Sequence, residues 1–158
     1  MKKINKTNAM RMLDALGIEY DCMSYETEDD HIDGVSVAHK TGQNPESVFK
    51  TLVAVGHSKL LYVFCIPVEY ELDLKKAAKA SNEKNIEMLP LRDFTKNTGY
   101  VRGGCSPIGM KKQYSTFVDE SAQLQDKILV SAGVIGTQII ISPDDLIRAA
   151  EASYADLI

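Results

Sequence analysis

At 158 residues, 44% of them hydrophobic and 25% charged, the chain has room for one domain with a real core and not for two comfortable ones. A net charge of −4 argues against a general nucleic-acid binder, and three scattered cysteines with no C-x-x-C pair or Cys/His cluster support neither a disulfide framework nor a zinc site. The basic start, Met1 to Lys6, leads into an amphipathic pattern and the longest apolar run, Leu60 to Ile66, is far too short to span a bilayer, so a reduced, soluble, cytoplasmic protein is expected.

In chain order, Asn5 to Leu16 reads as a helix, capped by Asn5 or Thr7, with a stripe of Ala9, Met12, Leu13 and Leu16 and a stop at Gly17. Ile18 to Tyr25 reads as a strand with Ile18, Tyr20 and Cys22 on one face, and the acidic stretch Glu26 to Asp33 as a loop. A short helix, Gly34 to Lys40, closes at Gly42, and Asn44-Pro45 opens another turn. Val48 to Val55 and Leu60 to Ile66 are strands joined by Gly56-His57-Ser58-Lys59, which makes a hairpin. Asp73 caps a helix from Leu74 to Ala80, Asn85 to Leu89 is a short strand, and Pro90 to Thr95 a short helix. Strands at Ser115–Asp119, Lys127–Ser131 and Thr137–Ile141 follow, and Ser142-Pro143-Asp144-Asp145 opens a last helix with acids at its positive end. Helices irregularly interspersed with hairpin-ordered strands indicate one α+β domain over residues 1–158, with a mixed, largely antiparallel sheet.

Two features carry chemistry. The stretch Thr98 to Gly109 holds Gly99, Gly103, Gly104 and Gly109 together with Ser106-Pro107, in a chain with ten glycines and five prolines in all. Glycine lets another molecule approach the backbone and proline stiffens it, so the stretch reads as a rigid loop with exposed N–H groups, or as a plain surface turn. The charge is unevenly spread: 10 Lys/Arg against 6 Asp/Glu in residues 51–112, but 6 against 9 before them and 2 against 7 after. Arg102, Lys111 and Lys112 flank the loop, while Lys75, Lys76, Lys79 and Lys84 form either a solvated helix face or part of an anion-attracting surface.

The second feature is Lys50, inside an apolar strand, where alternation puts it with Leu52 and Ala54 and puts Phe49, Thr51 and Val53 on the other face. It either snorkels to the surface or projects an ammonium from a rigid element into a pocket, where it can polarise an ester. His31, His39 and His57 lack a partner at motif spacing, and there is no G-x-S-x-G elbow. Cys105 lies in the loop with no histidine nearby in sequence, which favours a wall residue over a nucleophile.

Phe49-Lys50-Thr51-Leu52, then Thr98-Gly99-Tyr100 and Gly103-Gly104-Cys105-Ser106-Pro107-Ile108-Gly109 with Lys111-Lys112, resemble the YbaK/EbsC family of Cys-tRNA(Pro) deacylases, relatives of the editing domain inserted in bacterial prolyl-tRNA synthetases. Ser24-Tyr25-Glu26, Leu72 to Lys76 and Val130-Ser131-Ala132-Gly133 extend the likeness over nearly the whole chain. The resemblance implies a barrel-like sheet surrounded by helices and an enzyme that hydrolyses the ester of a mischarged tRNA 3′ end, without metal or cofactor. It implies that Lys50 is the essential residue, that Tyr25, Thr51, Gly103, Gly104, Ser106, Pro107 and Ser131 form the pocket, and that the substrate's own thiol attacks the ester. It also suggests a prolyl-tRNA synthetase as partner, while the lack of an obvious exposed apolar stripe in the sequence makes a monomer the default state. Relatives often carry an aspartate where this chain has Gln138, and an aromatic residue near Ile32 is replaced, both where amino-acid specificity is set. Deacylation of another mischarged tRNA such as Ala-tRNA(Pro), and a non-catalytic module that binds tRNA or a synthetase, are the alternatives.

Overall fold

The computed structural model describes residues 6–27 and 34–158. Helix α1 (Asn8–Ala15) starts at Thr7, whose side chain accepts from the Met10 N–H at 3.3 Å, and ends at Gly17 with φ +69°. The other proposed cap, Asn5, lies outside the described residues, as do His31 and Ile32. The helix buries Ala9, Met10 and Leu13, whereas Leu16, placed in the core stripe from sequence, lies beyond the last turn and is exposed.

Strand β1 (Asp21–Ser24) is shorter than the pattern suggests, and Cys22 on it is exposed. Helix α2 (Gly34–Thr41) and the 3-10 turn Pro45–Ser47, capped by Asn44, lead into β2 (Phe49–Gly56) and β3 (Leu61–Pro67), the expected hairpin. Helix α3 (Leu74–Ser81) is capped by Asp73, whose Oδ1 accepts from the N–H groups of Lys75 and Lys76 at 3.0 Å. Strand β4 (Ile86–Met88) and helix α4 (Leu91–Thr98) follow, the helix running three residues past the expected Thr95 before Gly99 ends it at φ +80°. Then come β5 (Ser115–Asp119), β6 (Ile128–Ser131), β7 (Thr137–Ile141), helix α5 (Pro143–Ala150) and β8 (Ala152–Ala155). The sequence reading has neither β8 nor the 3-10 turn Glu120–Leu124.

The α+β class and the mixed, largely antiparallel pairing are as expected, but the strands do not close as a barrel. They form a three-stranded sheet, β1-β7-β6, and a five-stranded sheet, β4-β2-β3-β5-β8, in which β3–β5 and β5–β8 are parallel. A parallel bridge between Val48 and Leu129 joins the two sheets where β2 begins.

Both faces of the five-stranded sheet are covered, which explains why Leu61 to Ile66 is apolar without alternation. Phe49, Val53, Val63 and Cys65 face a core shared with Val130, Ile139 and helices α1 and α5. Ala54, Tyr62, Phe64 and Ile66 face a second core under α3, formed with Ala77, Ala78 and Leu157. Lys76 on α3 ion-pairs with Asp156 at 3.1 Å, so at least one lysine of the 75–84 cluster is engaged in holding the last residues. No helix among the described residues is long and apolar enough to cross a membrane.

Candidate functional site

A cavity of about 550 Å³ opens where the two sheets meet. The start of β2 supplies Lys50 and Thr51, the facing ends of β6 and β7 supply Ser131 and Gln138, and Tyr25 enters just after β1. The glycine loop contributes Arg102, Gly103 and Cys105. Segments from five parts of the chain therefore converge on one concave site.

Register explains the convergence. Ser131 is paired with Gln138 across the antiparallel β6–β7 ladder, so their side chains share a face. The N–H of Tyr25 donates to the Gly136 carbonyl at 3.0 Å, which ties the end of β1 to the β6–β7 turn. Lys50 and Thr51 lie opposite Ile66 and Cys65 of β3, and Thr51 Oγ1 sits 4.0 Å from the Cys65 sulfur. The alternation read from sequence holds here: Phe49 and Val53 enter one core, Leu52 and Ala54 the other.

Lys50 is half-buried, and desolvation holds its ammonium below the ordinary lysine range, with the charge of Glu71 opposing the shift. Arg102 is exposed at the rim. The described lining residues include these two cations and no carboxylate, so the walls favour oxygen-rich, electron-rich groups.

The loop is built differently from its sequence reading. Gly103, exposed at φ +87°, is the glycine that lines the cavity. Gly104 is buried, and its N–H is consumed by the Val101 carbonyl at 3.0 Å, so it is not an exposed donor. Ser106 is fully buried, with Oγ accepting from the Ile108 N–H at 3.3 Å, and Pro107 is buried too. Gly104, Ser106 and Pro107 thus support the loop from behind and do not line the cavity. Tyr100 pins the stretch by donating its hydroxyl to the Ile108 carbonyl at 2.7 Å. Lys111 and Lys112 are exposed and lie outside the cavity.

Cys105 does line the cavity, but burial pushes its thiol up to about 12, so it stays protonated near neutral pH. Its environment is that of a wall. The remaining wall comes from Phe49 and Leu52, which flank Lys50 and Thr51 in the motif already singled out, and from Gly34, Val37, Val48 and Val68, none of which stands out in the sequence. The only sequence signal of the three valines is hydrophobicity, which a core residue shares, and Gly34 is packed so that a Cβ there would meet Val68 Cγ1 at 2.3 Å.

Comparison with known proteins adds four findings. Residues 31–149 match the family model of the aminoacyl-tRNA editing domain. A protein of Enterococcus faecalis described as a candidate Cys-tRNA(Pro)/Cys-tRNA(Cys) deacylase, EbsC, is 45% identical over 156 residues, covering 99% of this chain and 95% of its own. Among solved structures, a candidate trans-editing enzyme for prolyl-tRNA synthetase superposes with a TM-score of 0.83 at 20% identity, over 95% of this chain and 94% of its own. A hypothetical protein superposes at 0.87 and 18%, over 96% and 99%. At such identities these two structures establish the fold alone.

Proposed function

This chain belongs to the aminoacyl-tRNA editing-domain family, and from that premise we propose that it is a trans-editing deacylase that hydrolyses mischarged tRNA, with Cys-tRNA(Pro) as its substrate. The observation that carries the reading is the convergence of Lys50, Thr51, Gly103, Ser131 and Gln138 on one cavity with two cations and no carboxylate among its described walls. Such a cavity suits the ester and phosphate oxygens of a charged tRNA 3′ end.

The nucleophile in this reading comes from the substrate. The cysteinyl sulfur attacks the ester carbonyl, its proton passes to the departing ribose oxygen, and the carbon–oxygen bond breaks to give a cyclic thioester and free tRNA. Water then opens the thioester to cysteine. Because attack is intramolecular, holding sulfur and carbonyl in near-attack geometry supplies much of the acceleration. The Lys50 ammonium polarises the carbonyl and steadies the developing oxyanion, and Gly103 lets the ester approach the backbone. Thr51 and Ser131 hold hydroxyls at the wall to position the aminoacyl group.

The test is a deacylation assay on Cys-tRNA(Pro) and Ala-tRNA(Pro). Turnover of the first and not the second is expected, since alanine has no thiol to attack with; equal turnover of both would refute the substrate-thiol route. Cys105→Ala should keep kcat/KM within about threefold of wild type, because a thiol held protonated contributes packing and not attack. Loss of activity in that variant would make Cys105 the nucleophile.

The exposed pair Lys111 and Lys112, with Arg102 at the rim, meets the tRNA backbone in this reading. Reversing both lysines to glutamate should weaken tRNA binding at low salt and flatten its dependence on salt concentration, measured by filter binding. Unchanged binding would direct the tRNA to another face. The chain would act in the cytoplasm as a monomer, with tRNA identity supplied by a prolyl-tRNA synthetase partner; co-sedimentation of the two with charged tRNA checks this.

A further inference from the structure

Gln138 is only 6% exposed, and its Oε1 is enclosed by protein without a hydrogen-bond partner among the described residues. A buried amide oxygen left unpaired is uncommon in folded proteins, because its lost hydration is not repaid. This one belongs to a residue that lines the cavity, on the three-stranded sheet, while Lys50 lies on the five-stranded sheet.

The neighbouring groups narrow what could complete it. Lys50 and Arg102 are cations that donate, and Ser131, opposite Gln138 in the ladder, has its Oγ already accepting from the Gly133 N–H at 3.2 Å, which frees its proton to donate. These donors suit substrate oxygens. Gln138 Oε1 is an acceptor and calls for a substrate N–H. An aminoacyl ester carries one such group beside the reacting carbonyl, its α-amino group.

We propose that Gln138 is a specificity residue that receives the α-amino group of the aminoacyl ester on its Oε1, while Lys50 takes the ester oxygen from the other sheet. The inference rests on the deacylase reading. It gives the cavity a reason to distinguish an aminoacyl ester from a plain acyl ester with the same thiol, and it does so with a neutral acceptor.

The experiment compares cysteinyl-tRNA(Pro) with 3-mercaptopropionyl-tRNA(Pro), which keeps the thiol and the ester and lacks the amine. The ratio of their kcat/KM values is measured for wild type, Gln138→Met and Gln138→Glu. The preference for the cysteinyl ester should fall about tenfold in Gln138→Met, the intrinsic reactivities of the two esters cancelling in the comparison. Gln138→Glu retains an acceptor and should keep the preference.

A ratio equal in wild type and Gln138→Met, whether both substrates slow together or neither does, overturns the proposal. A second measurement needs no variant to fold. Wild type should bind the hydrolysis-resistant 3′-amide of cysteine on 3′-amino-3′-deoxyadenosine about tenfold more tightly than the corresponding 3-mercaptopropionyl amide; equal Kd values overturn the proposal. Wild type turning over neither ester would overturn the deacylase reading and this inference with it. Turnover that depends on Lys50, with equal Kd values for the two amides, overturns the inference alone.

Discussion

Replacing Lys50 with alanine is expected to lower kcat/KM on Cys-tRNA(Pro) by about 100- to 1,000-fold, the size of effect seen when a preorganised oxyanion donor is removed. The argument lies in the placement of the side chain. Lys50 is fixed on β2, where it and its neighbours pair with Ile66, Pro67 and Cys65 of β3, it is half-buried, and burial disfavours its charge. An ammonium kept in such a place costs stability, so the variant should fold at least as well as wild type. A drop in activity with an unchanged or raised Tm therefore separates a catalytic role from a structural one. Lys50→Arg should restore little, since a planar guanidinium is larger than the ammonium and distributes its charge differently.

The same environment predicts a pH signature. With its pKa lowered by burial, Lys50 loses its proton at lower pH than an ordinary lysine, so the alkaline limb of kcat/KM should fall below the normal lysine range. Glu71 opposes the shift, so Glu71→Gln should move that limb further down. A limb that stays in place in Glu71→Gln would show that it reports another group.

Much of this site is legible in the sequence because it depends on local rules. Period-two alternation assigns Lys50 to the face of Leu52 and Ala54, and the hairpin turn after Val55 fixes its partner strand. The glycine and proline content of residues 98–109 marks the loop. What escapes is non-local. The five-stranded sheet depends on β5 adding to β3 and β8 to β5 in parallel, pairings that no adjacent turn encodes.

Strand β8, Ala152-Ser153-Tyr154-Ala155, is too short and too poor in β-branched residues to announce itself. Within the loop, the sequence cannot say which of Gly103 and Gly104 faces outward; only the packing of Gly104 on the β6–β7 turn decides it. The apolar wall from Val37, Val48 and Val68 looks like core from sequence because hydrophobicity alone does not distinguish a cavity lining from a filled interior.

Gly104→Ala tests that packing and should be the second most damaging change. A Cβ at Gly104 would stand 2.9 Å from the Ile135 nitrogen and 3.2 Å from the Val134 carbonyl carbon, both backbone atoms of the β6–β7 turn. That turn cannot readily yield. Its ends are held by the Ala132 N–H donating to Thr137 at 3.1 Å and by Tyr25 donating to Gly136 at 3.0 Å, and its glycines Gly133 and Gly136 sit at φ +99° and +105°. The loop must move instead, carrying Arg102, Gly103 and Cys105 away from the wall they form with Ser131 and Gln138. Overpacking of this kind costs about 1–3 kcal/mol, and kcat/KM should fall with it because the displaced segment is the cavity's own wall. Gly17→Ala provides the contrast: its Cβ would meet nothing within 4 Å, so only the left-handed φ of +69° is penalised, at about 1–2 kcal/mol. Urea denaturation should therefore rank the two variants similarly, while deacylation assayed well below both midpoints should fail in Gly104→Ala and persist in Gly17→Ala. Full activity in Gly104→Ala would mean that the loop does not owe its position to contact with the β6–β7 turn.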